Sequence, residues 1–303
     1  MKIINRRQIR VKVLQELYSF LLGNKNSLTR AQNNIRQSFL QTNSLYIFYL
    51  DFFKSFWEFS YFRDNYQKTH KKSLSPLDEN FSIISGLIPL KSIAKNKSLI
   101  SKLNSFESKY WQNEQEFLND FFLKIVNSDG FKEYLALNKK DFKLQLKLLV
   151  YIFKEILVHD KKFFSYVEDH NIYWIDDIPT INTFILRLLK TLDCEKEFNF
   201  FKNSFIYTEK DIDFALKLFE KVLENFEKLN QDIQKRILNW DIERIAPIDI
   251  IIIKMSIIEI TYFSEIPNTV SVNEYLEISK EYSTPKSSQF INGVLDNIIK
   301  NNK

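Results

Sequence analysis

The sequence predicts an all-α protein, and three features carry that expectation. Glycine is scarce, at 4 of 303 residues, and proline contributes only 6. A chain this poor in glycine has few of the turns that hairpins, phosphate loops and nucleophile elbows need. Apolar residues recur at steps of three and four, the period of one helix face. Cap-forming residues stand at the edges of these periodic stretches.

The first such stretch is residues 5–22. Asn5 is placed to cap it, and Ile9, Val13, Leu17 and Leu21 repeat every four residues. Leu14 and Phe20 widen the stripe, and Gly23-Asn24 is a C-cap pair. Arg6 and Arg10 share a face by their spacing, with Arg7 beside them. Helices are then expected over 30–65, 98–126, 141–168 and 180–202. The Lys-, Ser- and Pro-rich segment 67–97 is expected to be a connection, with further breaks at 127–130 and 168–179. The aromatic-rich run 45–62 fits an extended core, a partner surface or a membrane-interface contact, with the core reading favoured because Asp51, Lys54 and Glu58 supply an outer face.

The pattern is clearest from residue 206 onward. Ile212, Ala215, Phe219, Val222, Phe226, Leu229 and Ile233 draw one stripe along a long helix, which ends near a core Trp240. Pro247 suits a first helical turn, with Asp249 nearby to complement the dipole. The run IDIIIIKMSIIEI is apolar on nearly every side, as in a helix surrounded by others. Pro267 ends it. Ser271 and Glu274 have the spacing of a capping box for a helix through Tyr282, which Thr284-Pro285 breaks. A last helix from Ser287 buries Phe290, Val294, Leu295 and Ile298, with Gly293 placed for close helix approach. These readings divide the chain into 1–27, a helical segment of unassigned role over 28–205, and a helical bundle over 206–303.

Composition narrows the function classes. At 45% hydrophobic residues the chain can bury a core and is not disordered. The single Cys194 excludes an intrachain disulfide and a cysteine-based zinc finger. The opening MKIINRRQIRVKVLQ lacks a secretory apolar core, and no run reaches membrane-spanning length, so a cytoplasmic location is expected. His70, His159 and His170 are isolated, and Asp169, Asp176 and Asp177 near His170 read as a polar loop. No catalytic residue, metal ligand or cofactor is assigned. The net charge of +5 is localised: residues 1–30 carry seven basic side chains against Glu16 alone, so the rest of the chain sums to −1. A local basic cluster points toward phosphate.

Two stretches resemble the NusB family of transcription antitermination factors. One holds Glu243, Arg244 and Ala246, then Glu259, Ile266-Pro267, the series Asn273, Glu274, Glu277, Lys280, and finally Phe290, Asn292, Gly293, Leu295 and Asp296. The other is RRQIRVKVLQELYSF, similar to the family's Arg-rich opening helix, although Gln8 interrupts the basic run. Together they cover about 115 residues at the two ends of the chain. The resemblance implies a NusB-like helical bundle with a large helical insertion after the first helix. It implies a non-catalytic role binding boxA-type single-stranded RNA together with NusE, a small-subunit ribosomal protein, in an RNA polymerase antitermination complex.

Residue by residue, the resemblance places Lys2, Arg6, Arg7, Arg10, Tyr18 and Phe290 at the RNA. It places Asp249 and Lys254 toward NusE, and Lys286, a cation near Phe290, is expected on the partner-binding side with them. The alternative is a helical protein-interaction module without specific RNA binding, in which the basic helix is a solvated face. An RNA-modifying enzyme would need a glycine-rich cofactor domain, which four scattered glycines do not provide.

Overall fold

A computed structural model describes residues 6–23, 27–70, 75–105, 110–111, 113–193, 199–201, 207–236 and 245–301. Lys2, Asn5, Cys194, Trp240, Glu243 and Arg244 lie outside the described residues. The helices, in order, are α1 (Arg6–Leu22), α2 (Leu28–His70), α3 (Pro76–Ser85), α4 (Ile88–Ala94), α5 (Lys97–Asn104), α6 (Gln115–Asn127), α7 (Asp129–Leu135) and α8 (Phe142–Tyr151). After a π-turn at Ile152–Leu157 come α9 (Lys161–His170), a 3-10 turn at Ile172–Asp177 and α10 (Ile178–Lys190). Then follow α11 (Glu209–Glu224), α12 (Phe226–Arg236), α13 (Pro247–Tyr262), α14 (Asn268–Tyr282) and α15 (Ser287–Asn301). No strand occurs among the described residues. The chain forms two units, Met1–Leu40 with Tyr207–Lys303, and Gln41–Ile206, and α2 starts in the first and continues into the second.

The first unit is built around α13. Ile251, Ile252, Ile253, Met255 and Ile258 are buried on several sides, against α1, α11, α14 and α15. The start of α2 joins this unit through Gln32, whose side-chain amide donates to Glu220 at 2.7 Å, and Asn34, which donates to Glu16 at 3.1 Å. A buried ion pair lies at its centre. Arg10 of α1 donates from Nε to Glu259 Oε2 at 2.8 Å and from Nη2 to Glu259 Oε1, and neither side chain is exposed. Ser271 Oγ and Tyr275 OH, both from α14, donate to the same carboxylate at 2.6 and 2.9 Å. Burial acts to lower the Arg10 pKa, but the hydrogen bonds and charge of Glu259 outweigh it and hold the guanidinium above its usual value. Burial, reinforced by the Glu259 charge, pushes the Tyr275 phenol well above its ordinary range.

Several local expectations are corrected here. The long stripe from Ile212 to Ile233 is broken between α11 and α12 at Asn225, whose side chain donates to the Lys221 carbonyl at 2.9 Å. Ser271 does not cap α14, because the helix already starts at Asn268 and the hydroxyl is used on Glu259. In α15 the buried stripe is Ile291, Val294, Leu295 and Ile298, while Phe290, one residue earlier, is half-buried. Gly293 faces open space, with nothing within 4 Å of where a Cβ would stand, so close helix packing is not its role.

The second unit has an aromatic core. Phe48, Phe52, Trp111 and Phe163 pack edge-on, tilted and stacked, with Trp111 and Phe163 parallel at 5.6 Å between centroids. The Trp111 indole donates to the Phe48 carbonyl at 3.1 Å, which satisfies its one polar atom. The 67–97 stretch is not simply a connection: it holds α3, α4 and the start of α5. Its polar residues are caps, Ser75 with Asp78 forming a capping box on α3 and Asn96 accepting from the Leu99 amide at 3.0 Å on α5. The expected helix over 141–168 is divided by the π-turn and by Asp160, which caps α9 by accepting from the Lys162 amide at 2.9 Å.

Three stability measurements check this account. Glu259→Gln should cost about 3–5 kcal/mol in urea unfolding, because it leaves the Arg10 charge buried without its counter-ion. Joint replacement by Arg10→Met/Glu259→Leu should recover part of that loss. Gly293→Ala should raise stability by about 1 kcal/mol, the helix-propensity difference, since the new methyl meets nothing. The third concerns Lys254. Its side chain is fully buried, with Nζ 3.0 Å from the Phe226 ring centroid, and burial pulls its pKa down to about 8, offset in part by Glu227. Between that value and the ordinary lysine value the unfolded chain binds more protons, so stability should rise with pH across this window. Lys254→Met should therefore stabilise the chain by about 1–4 kcal/mol at pH 7, with the gain shrinking as pH climbs past 8. An unchanged gain at high pH would contradict the buried-charge account.

Candidate nucleic-acid interface

The interface begins at the N-terminus of α1. Arg6 is its first residue and is exposed, and the first turn contains no acidic side chain. Positive side chains beside the positive end of the helix dipole work against the helix and favour a bound anion. Arg7 follows, half-buried, and is drawn to a row of carboxylates on α14. Its guanidinium lies 3.2 Å from Glu274, 3.8 Å from Glu277 and 3.9 Å from Glu281. Those three residues recur at helical spacing, so they present one acidic strip.

Arg10 is corrected as an RNA contact. Its side chain has no exposed surface, and it is held by Glu259 between the rings of Tyr275 and Phe214, at 5.6 and 5.8 Å. Lys12 also turns inward, its ammonium 5.9 Å from the Phe39 ring. Much of the N-terminal positive charge is thus internal. The i,i+4 pairing of Arg6 and Arg10 places them a turn apart, yet the α1 packing buries one and exposes the other.

Tyr18 is 41% exposed and lies three turns beyond Arg7 on the same strip of α1. Lys286 is exposed just before α15, and Phe290 sits one turn on, its amide donating to the Lys286 carbonyl at 3.2 Å. These two share a turn, with the exposed Gly293 next along the helix. Asp249 and Lys254 are corrected as partner contacts, since both are buried. They lie on α13, which is enclosed by its neighbours, so a charge there faces protein. Lys2 lies outside the described residues.

Reading the sequence missed Glu259 as the counter-ion of Arg10. The signal was present: a carboxylate near the end of a helix that is apolar on nearly every side requires a buried partner. The acidic strip of Glu274, Glu277 and Glu281 was also visible as a spacing, but the sequence does not say that it faces Arg7. No group of His, Cys, Asp and Glu able to hold a metal occurs among the described residues. No helix among them is long and apolar enough to cross a membrane.

Comparison with known proteins places this geometry. The NusB family pattern matches residues 185–300, which include α11–α14 and nearly all of α15. The transcription antitermination protein NusB of Clostridium botulinum is 39% identical over 114 residues, which is 37% of this chain and 86% of that protein. The protein of the same name from Listeria monocytogenes is 41% identical over 98 residues, 32% of this chain and 77% of that one. In Salinibacter ruber the corresponding protein is 46% identical over 87 residues, covering 29% and 54% of the two chains. No solved structure matches. This chain covers 86% of the Clostridium protein at 39% identity and 77% of the Listeria protein at 41% identity, and it belongs to the NusB family.

Proposed function

We propose that this protein is a transcription antitermination factor that binds boxA-type single-stranded RNA together with NusE and promotes read-through by RNA polymerase. The observation that carries this reading is the exposed Arg6 at the positive end of α1, on the unit that also holds the family's helices. Arg6 and Lys2 contact phosphate, and Arg7 does so while tethered to α14. Tyr18, and Phe290 beside Lys286, offer ring faces to bases, the usual means of holding a single strand. Arg10, Asp249 and Lys254 support this surface from within. The role is binding, with no chemical step.

Fluorescence anisotropy with a boxA oligomer and a scrambled control, with and without NusE, tests the reading. BoxA should bind more tightly than the control, and NusE should strengthen the preference. Arg6→Ala should weaken binding and reduce the salt slope by about 0.7, one phosphate contact on a single strand. Equal and weak binding of both oligomers under all conditions would sink the RNA reading and leave a protein-docking bundle.

A further inference from the structure

Arg7 meets three carboxylates on α14, but on unequal terms. Its Nε donates to Glu274 Oε2 at 3.2 Å, and these two side chains are only 23% and 22% exposed. Glu277 and Glu281 lie 3.8 and 3.9 Å from Nη1, beyond hydrogen-bond reach, and are 42% and 50% exposed. Glu277 is already served by Lys280 of the same helix, whose Nζ donates to it at 2.6 Å. That bond, helped by the more distant Arg7 charge, holds the Glu277 carboxyl below its ordinary range, so it is ionised at neutral pH.

One carboxylate is enough to fix the guanidinium against α14, and Glu274 does so. Exposed ion pairs contribute little to stability, so folding does not account for the outer two. Their placement matters for an anion. The first turn of α1 holds no acidic residue, and α14 instead supplies negative charge beside Arg7. At physiological salt, charges within about 8 Å act on one another with little screening. A phosphate brought to Arg7 therefore lies within range of Glu277 and Glu281. It has to draw the guanidinium away from them and is repelled by them at the same time.

We propose that Glu277 and Glu281 of α14 are electrostatic competitors of RNA for Arg7, and so lower the affinity of the α1 surface for any single strand. This rests on the RNA reading of that surface. Glu274 keeps Arg7 in place, while a bound phosphate replaces the outer two carboxylates at its Nη atoms. Both glutamates are positioning residues, acting on RNA through Arg7. The competition is independent of sequence, because a phosphate carries no base identity.

The test is anisotropy of the full chain with the boxA oligomer and its scrambled control, over a series of salt concentrations. Glu277→Gln/Glu281→Gln retains Glu274 and should tighten both RNAs about threefold, the scale of an exposed ion pair. In the unaltered chain, an Arg7–phosphate contact forms as carboxylate pairs break, so few ions are released overall. Without the outer carboxylates, that contact should steepen the salt slope by about 0.7. The steepening should disappear when Arg7→Gln is added. Glu133→Gln/Glu168→Gln, which removes two exposed carboxylates of the second unit, should change neither affinity nor slope. Thermal melts of each variant show whether it is folded.

Unchanged affinity and slope in Glu277→Gln/Glu281→Gln, with Arg6→Ala still weakening boxA, would overturn the proposal and leave the strip as a helix tether. An equal gain from Glu133→Gln/Glu168→Gln would overturn it in favour of net charge alone. A steepened slope that persists with Arg7→Gln would overturn the role of Arg7. If boxA is not preferred and Arg6→Ala changes nothing, the RNA reading itself fails and this inference with it.

Discussion

The first unit depends on one buried charge pair. Glu259 is fully buried in the last turn of a largely apolar helix and cannot remain there as an anion without compensation. It receives four donors, two from Arg10 of α1 and one each from Ser271 and Tyr275 of α14. Three helices that are distant in sequence are therefore joined at one carboxylate. A buried pair of this kind adds little stability relative to a well-packed apolar core. Its effect here is geometric, because the donors fit only one rotation of α1 against α13 and α14.

That rotation sorts the N-terminal charge. With Arg10 turned inward, Arg6 stands at the helix start in solvent and Tyr18 lies on the outer strip. Arg7 takes an intermediate position, steered by Glu274, Glu277 and Glu281. A cluster that looks uniform in sequence thus has one member for the core, one at an ion-pair strip and one for solvent. The same logic applies to α13, where Asp249 and Lys254 are enclosed and the Lys254 ammonium rests on the Phe226 ring.

The second unit follows a different rule. Its core is packed from aromatic rings in edge and stacked contacts, with indole nitrogens satisfied by backbone carbonyls at Trp57 and Trp111. Short capped helices fill the space beside α2, which is why a polar, Pro-containing stretch of sequence is ordered there. Where rings remain outside, on the last turns of α2, Tyr61 stacks on the buried Trp57 and Tyr66 stacks on His70.

By itself the sequence determined the helical class, the central position of α13, the start of α13 at Pro247 and the start of α15 near Ser287. These follow from local properties: glycine scarcity, apolar period and proline geometry act within a few residues of chain. It also carried the family resemblance at both ends. Only the tertiary structure decided which basic residue is buried, because a helical wheel gives Arg6 and Arg10 nearly the same face. The same holds for Ser271, whose spacing to Glu274 is that of a cap but whose hydroxyl is used on Glu259. Phe290 and Gly293 differ from expectation for a related reason, since the packing of α15 on α13 and α14 selects Ile291 for the core. Periodicity says that a face exists, and the partner brought against it sets which residues are enclosed.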